Sequence, residues 1–114
     1  MEIKKSSNEF ASIIVLSGRF DAHEVVPVKE WAAEQLAGGA KNLVVNLSGV
    51  NFIDSTALSI LVQALKNSRE KGSALRLCAF QQPVKVIFEL TRLDKAFDIY
   101  PNEEEALAAC KTTL

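Results

Sequence analysis

Residues 42–65 read NLVVNLSGVNFIDSTALSILVQAL. The first six, NLVVNL (42–47), form a continuous apolar run bounded by polar and turn-forming neighbours, the pattern of a central strand covered on both faces. Farther on, Leu58, Leu61, Val62 and Leu65 recur at helical spacing, and Gly72 supplies the stop. The segment between them, SGVNFID (48–54), is predicted to be a loop with Phe52 and Ile53 folded inward. Ser55 or Thr56 then opens the helix. A buried strand passing through a short connection into an amphipathic helix is the building unit of a layered α/β domain.

The same unit recurs on either side. Upstream, Ile3 opens a short first strand and Ser6, Ser7 and Asn8 read as a turn. FASIIVLSG (10–18) is β-branched and apolar on both faces, a second strand ended by Gly18. GRFDAHE (18–24) is a connection. VVPVKEWAAEQLAGG (25–39) is a helix with Val28, Trp31, Ala32, Gln35 and Leu36 on one side. Pro27 falls in its first turn or just before it, and Gly38-Gly39 ends it. Downstream, ALRLCAF (74–80) is a strand, and Pro83 is the first residue of a helix with Val84, Ile87, Phe88 and Leu90 clustered. AFDIY (96–100) is a short strand, and Pro101-Asn102 starts a last helix whose Glu103, Glu104 and Glu105 complement the helix dipole. The order β-β-α-β-α-β-α-β-α predicts a layered α/β fold, a mixed sheet with about four packed helices, in a single domain over residues 1–114.

Bulk properties narrow the function. Of 114 residues, 48% are hydrophobic, enough for a core without metal or disulfide staples. A formal net charge of −1 argues against non-specific attraction to nucleic acid or to an acidic membrane. No apolar run approaches the roughly 20 residues that cross a bilayer, and the N-terminus lacks an apolar segment behind its lysines, so neither membrane insertion nor secretion is expected. Cys78 and Cys110 have neither metal spacing nor a CxxC arrangement and are expected to be a reduced, cytoplasmic pair.

Catalytic chemistry is sparse. His23 is the only histidine, no GxSxG elbow accompanies it, and it reads as a surface residue near a helix start. GGAK (38–41) lacks the spacing of a phosphate-binding loop, no GxGxxG occurs, and one histidine with two distant cysteines makes no metal site. Glu103 to Glu105 are dipole partners, and Trp31 and Phe88 are core. The expectation is a binding or signalling module with no cofactor and no metal, not an enzyme.

Asp54, Ser55 and Thr56 are then the residues in need of an account. A helix cap requires one acceptor side chain for the unpaired first-turn amides. Three in succession exceed that need. The positive end of a helix also tolerates an anion, and a phosphoryl group on a serine there adds about −1.5 to −2 charge without unfolding the helix. Beside Asp54 such a group would make the local surface strongly negative and expel a partner that docks an acidic or apolar patch.

From LSGRFDA through LVVNLSGVNFIDS to LTRLDKAFDIYPNEEEAL and its last alanines, nearly the whole chain resembles the STAS domain, in particular the free-standing anti-sigma factor antagonists of bacteria. The most specific element is LVVNLSGVNFIDS leading into its helix. The resemblance implies binding to an anti-sigma factor that is also a serine kinase of the GHKL type. That kinase phosphorylates the serine after the motif aspartate, here Ser55. The phosphorylated form releases the kinase, which then holds its sigma factor, and a PP2C-type phosphatase resets the switch. The resemblance also places Asp21, Asp54, Ser55, Thr56, Ala57, Leu58 and Ser59 at the docking surface. Where the family often has glycine two residues after the serine, this chain has Ala57, whose methyl would stand near an approaching kinase loop. Two other roles are open to the fold: a regulatory subunit of a membrane transport complex docking an ABC-type ATPase, and a nucleotide or anion sensor using the helix end.

Overall fold

A computed structural model describes residues 1–111, and in it the run at 42–47 is only the first half of its strand. The elements are β1 (Glu2–Ser7), β2 (Ser12–Phe20), α1 (Val25–Ala37), β3 (Asn42–Ile53), α2 (Ser55–Glu70), β4 (Ala74–Cys78), α3 (Gln82–Leu90), a 3₁₀ turn (Leu93–Lys95), β5 (Asp98–Tyr100) and α4 (Glu103–Lys111). The five strands form one sheet in the order β1-β2-β3-β4-β5. β1 is antiparallel to β2, and each later strand is parallel to the one before it. This is the expected mixed α/β arrangement.

Parallel strands added always in the same direction need right-handed crossovers on one face. Accordingly α1, α2 and α3 cover one side of the sheet. Ile14, Leu16, Leu43, Val45, Leu47, Leu75 and Leu77 meet Val28, Trp31, Leu61, Val84 and Phe88 there. Side chains alternate across a strand, so Ile13, Val44 and Cys78 face the opposite side, where Ala106 and Cys110 of α4 pack. Each large side chain sealed in these layers contributes on the order of 2 kcal/mol relative to exposure. Trp31 and Phe88 are core residues, as expected.

Several boundaries differ from the sequence expectation. Ser6 and Ser7 belong to β1, paired with Ile13 and Ser12, and the turn is made by Asn8, whose Oδ1 accepts from the amides of Phe10 and Ala11. Gly18 does not end β2. With φ +107 it takes a backbone conformation that side chains disfavour, and the strand continues through Arg19 and Phe20. SGVNFI is strand rather than loop, because it pairs with this second half of β2. Val15 pairs with Asn46 but Ser17 with Gly49, and Gly18 pairs with Val50 but Arg19 with Phe52. β3 therefore carries two extra residues, each a bulge that adds twist. The second bulge reverses the expected placement of Phe52, which is 37% exposed, while Ile53 is buried. Val62 and Leu90, expected in apolar stripes, both stand in solvent, Leu90 at 75% exposure. In α2 the inward stripe is completed by Ala57, Ala64 and Ser68 instead. Pro83 is the second helical residue of α3, after Gln82.

Candidate functional site

β2 and β3 end side by side, each followed at once by an aspartate. Phe20 pairs with Ile53, and the Asp54 amide donates to the Phe20 carbonyl at 3.3 Å. The two strand ends thus bring Asp21 and Asp54 to one edge of the sheet, beside the start of α2.

Asp54 is the N-cap. Its backbone is extended (φ −108, ψ 177), and its Oδ1 accepts from the Ala57 amide at 2.9 Å. Its Oδ2 accepts from the Ala22 amide, also at 2.9 Å, so one carboxylate closes the helix and holds the β2–α1 connection. The bond from Ala57 does most to hold this carboxyl below its ordinary value. Partial burial opposes the shift, while the Ala22 and Thr56 amides and the Arg19 charge reinforce it.

Asp21, one strand away, caps no helix and makes a local turn instead. Its Oδ1 accepts from the His23 amide at 3.0 Å, forming an Asx turn, and its Oδ2 lies 3.7 Å from Arg19 Nε. The Arg19 guanidinium lies 3.8 Å above the centre of the Phe52 ring. Arg19 and Phe52, paired across β2 and β3, are absent from the sequence expectation for this surface. The signal for them is the shared ending of the two strands, RFD and FID, but its reading requires the bulged register. His23 is exposed, as expected.

Ser55 and Thr56, the first two residues of α2, are both exposed. Neither side chain makes the cap, since Asp54 does. Ser59, one turn on, is exposed and donates its hydroxyl to the Ser55 and Thr56 carbonyls at 3.1 and 3.2 Å. Asp21, Asp54, Ser55, Thr56 and Ser59 therefore gather on one surface together with Arg19 and Phe52. Ala57 and Leu58 do not join it. Ala57 is fully buried and Leu58 is 9% exposed, because the apolar face of α2 begins at its third residue. The Ala57 methyl points into the core and presents nothing to a visiting loop.

The remaining chemistry lies elsewhere. Cys78 of β4 and Cys110 of α4 are free thiols buried where that helix packs on the sheet. Burial pushes Cys78 up to about 12, with the Glu103 carboxylate adding to the shift. Glu103 does more than complement a dipole, since its Oε1 accepts from Asn46 Nδ2 at 3.1 Å. Among the described residues, no group of three or more His, Cys, Asp or Glu is placed to hold a metal ion. No helix among them is long and apolar enough to cross a membrane.

A strand followed by a capping aspartate, and a helix that opens on an exposed serine, sit within a chain whose residues 2–106 match the STAS domain model. The chain belongs to the STAS domain family. Among its relatives, an anti-sigma-B factor antagonist of Listeria monocytogenes is 30% identical over 105 residues, 92% of this chain and 91% of that protein. An anti-sigma F factor antagonist of Paenibacillus polymyxa is 27% identical over 108 residues, 94% of this chain and 92% of that protein. A crystal structure from Thermotoga maritima shares the fold with TM-score 0.89 at 24% identity, covering 96% of this chain and 94% of that one. In this STAS domain the succession of strand, cap and helix leaves the Ser55 side chain free of the capping role that Asp54 performs.

Proposed function

We propose that this STAS domain is a cytoplasmic anti-sigma factor antagonist, a binding module rather than an enzyme, switched by phosphorylation of Ser55. Unphosphorylated, it sequesters an anti-sigma factor that is also a GHKL-type serine kinase. Phosphorylated, it lets that partner go, and a PP2C-type phosphatase restores it. The names of its full-length relatives support the general role. The switch rests chiefly on one observation: Ser55 is exposed at the first position of α2, while Asp54 already holds the cap.

The physics favours a local effect. A phosphoryl group at the positive helix end adds charge where the dipole accepts it. Beside Asp54 and Asp21 it makes the docking face strongly anionic and bulkier. The cap and the β2–α1 tether involve other atoms, so the scaffold persists. Thr56 and Ser59 extend the same face, and Arg19 over Phe52 supplies its cationic and apolar part.

Incubation with the cognate kinase and ATP tests the switch by intact mass, with one phosphoryl group expected on the native chain and none on Ser55→Ala. Ser55→Ala retains partner binding, whereas Ser55→Asp weakens it. An unchanged mass after incubation with a kinase active on its own substrate removes the switch. Retained binding by Ser55→Asp removes the release step.

A further inference from the structure

A second site lies away from the α2 terminus, at the carboxyl ends of β4 and β5. There Phe80, Lys85, Phe88, Glu89, Asp94 and Tyr100 line a cleft of about 520 Å³. That size falls within the roughly 300–1,000 Å³ of small-molecule sites, and the carboxyl ends of parallel strands are where α/β folds take ligands. The cleft shares no lining residue with the surface around Ser55, and the inference does not depend on that serine being modified.

The walls have a definite chemistry. Phe88 is fully buried, with Phe80 tilted against it at a centroid distance of 4.6 Å. Phe80 and Tyr100 remain half-buried, so aromatic surface faces the opening. Two carboxylates, Glu89 and Asp94, outnumber the one cation, Lys85. Asp94 Oδ1 is buried and has no hydrogen-bond partner among the described residues. A buried acceptor without a donor is costly and uncommon in a folded protein. The terminal carboxylate torsion is soft, so rotation turns either oxygen toward the cleft.

The backbone around the cleft is also unusual. Ala79 (φ 62) and Arg92 (φ 64) are the two non-glycine residues with left-handed backbone among those described. Ala79 immediately precedes Phe80, and its amide donates to the Tyr100 carbonyl at 3.1 Å. Arg92 caps the 3₁₀ turn that carries Asp94. Such conformations persist where the surroundings hold them, frequently at ligand sites.

We propose that this cleft binds a small aromatic amine, its ring against Phe80 and Tyr100 and its ammonium donating to Asp94 beside Glu89. Aromatic faces and carboxylates together are the chemistry that recognises an organic cation.

Titration of the ¹⁵N-labelled chain with phenethylamine tests this, with 2-phenylethanol and phenylacetate as neutral and anionic counterparts. The amine is expected to give saturable shifts at Phe80, Asp94 and Tyr100 with a Kd of about 1 mM, the strength of a fragment of this size. Asp94→Asn weakens it about tenfold, the loss of one charge-assisted contact. Should Asp94→Asn lose its dispersed spectrum, the exposed Glu89→Gln serves in its place, with weakening in the same direction. Absence of saturable shifts overturns the site. Equal binding by 2-phenylethanol or phenylacetate, or unweakened binding by the folded variant, overturns the cation assignment and the proposal with it.

Discussion

The Asp54 carboxylate accepts a hydrogen bond from the Ala22 amide at 2.9 Å, although 32 residues separate them in the chain. The same side chain caps α2 through Ala57. One aspartate thus ties the β2–α1 connection to the helix that carries Ser55. Asp54→Ala removes both bonds and leaves two amides to water. The expected result is a Tm lower by a few degrees, with faster hydrogen exchange at both Ala57 and Ala22. Exchange that quickens at Ala57 alone would show the tether to be idle.

Ala57 stands where the family often has glycine, and its side chain is sealed in the core. Ala57→Gly removes a buried methyl and adds backbone freedom near the helix start. Stability is expected to fall by about 1 kcal/mol or more in urea denaturation. Under the proposed switch, the rate of Ser55 phosphorylation should not rise, because the methyl faces away from any visitor. A clear acceleration would refute that orientation.

Titration sets the pH limits of stability. The folded pKa of Asp54 is depressed below its ordinary 3.8. Its contribution is therefore present above 3.8 and is lost as pH falls through the depressed value. Asp54→Asn should flatten the acid limb of a stability-versus-pH curve. Cys78 behaves oppositely, raised from 9.0 to about 12. Between those values the unfolded chain loses its proton first, so stability falls as pH rises. Cys78→Ala should flatten the alkaline limb, and a thiol reagent at mildly alkaline pH should label Cys78 and Cys110 only after denaturation.

Gly49 is required by a close approach of strands. A Cβ there would meet Ser17 Oγ and stand 2.6 Å from its Cβ and 2.8 Å from its Cα. The last of these is backbone and cannot rotate away. Gly49→Ala should cost about 1–3 kcal/mol, read as a lower urea midpoint. Adding Ser17→Gly should restore part of the loss but not all, since the clash with the backbone at position 17 remains. An unchanged midpoint in the single variant would contradict the bulged pairing of β2 with β3.

Phe88 and Leu90, two residues apart on α3, should respond oppositely to substitution. Phe88 is fully buried between Phe80 and Phe97, so Phe88→Ala should cost about 3–5 kcal/mol. Leu90 is 75% exposed, so Leu90→Lys should change stability by no more than about 0.5 kcal/mol. Chemical denaturation of both variants checks the pair.

Much of the fold was legible because the sheet interior leaves its mark residue by residue. NLVVNL is buried on both faces, and so four of its six side chains are apolar, while its buried asparagines, Asn42 and Asn46, donate to the Phe10 carbonyl and to Glu103 Oε1. α1 must bury one side, and Val28, Trp31, Ala32 and Leu36 carry that spacing. The site was legible in part, through three small polar residues where one cap would suffice. The role of each was not. Asp54 alone caps, Ser55 and Thr56 are presented to solvent, and Ala57 and Leu58 turn inward.

The amino-acid order by itself determined the alternation of strands and helices, the identity of the buried runs, and the place along the chain where polar side chains gather. These are local properties, since periodicity and capping chemistry act over a few neighbouring residues. Tertiary structure alone decided that β3 runs on to Ile53, that Phe52 lies beneath Arg19, and that Asp54 reaches Ala22. Each depends on the bulged register between β2 and β3, and register is set by contacts between strands far apart in the chain, which no single stretch encodes.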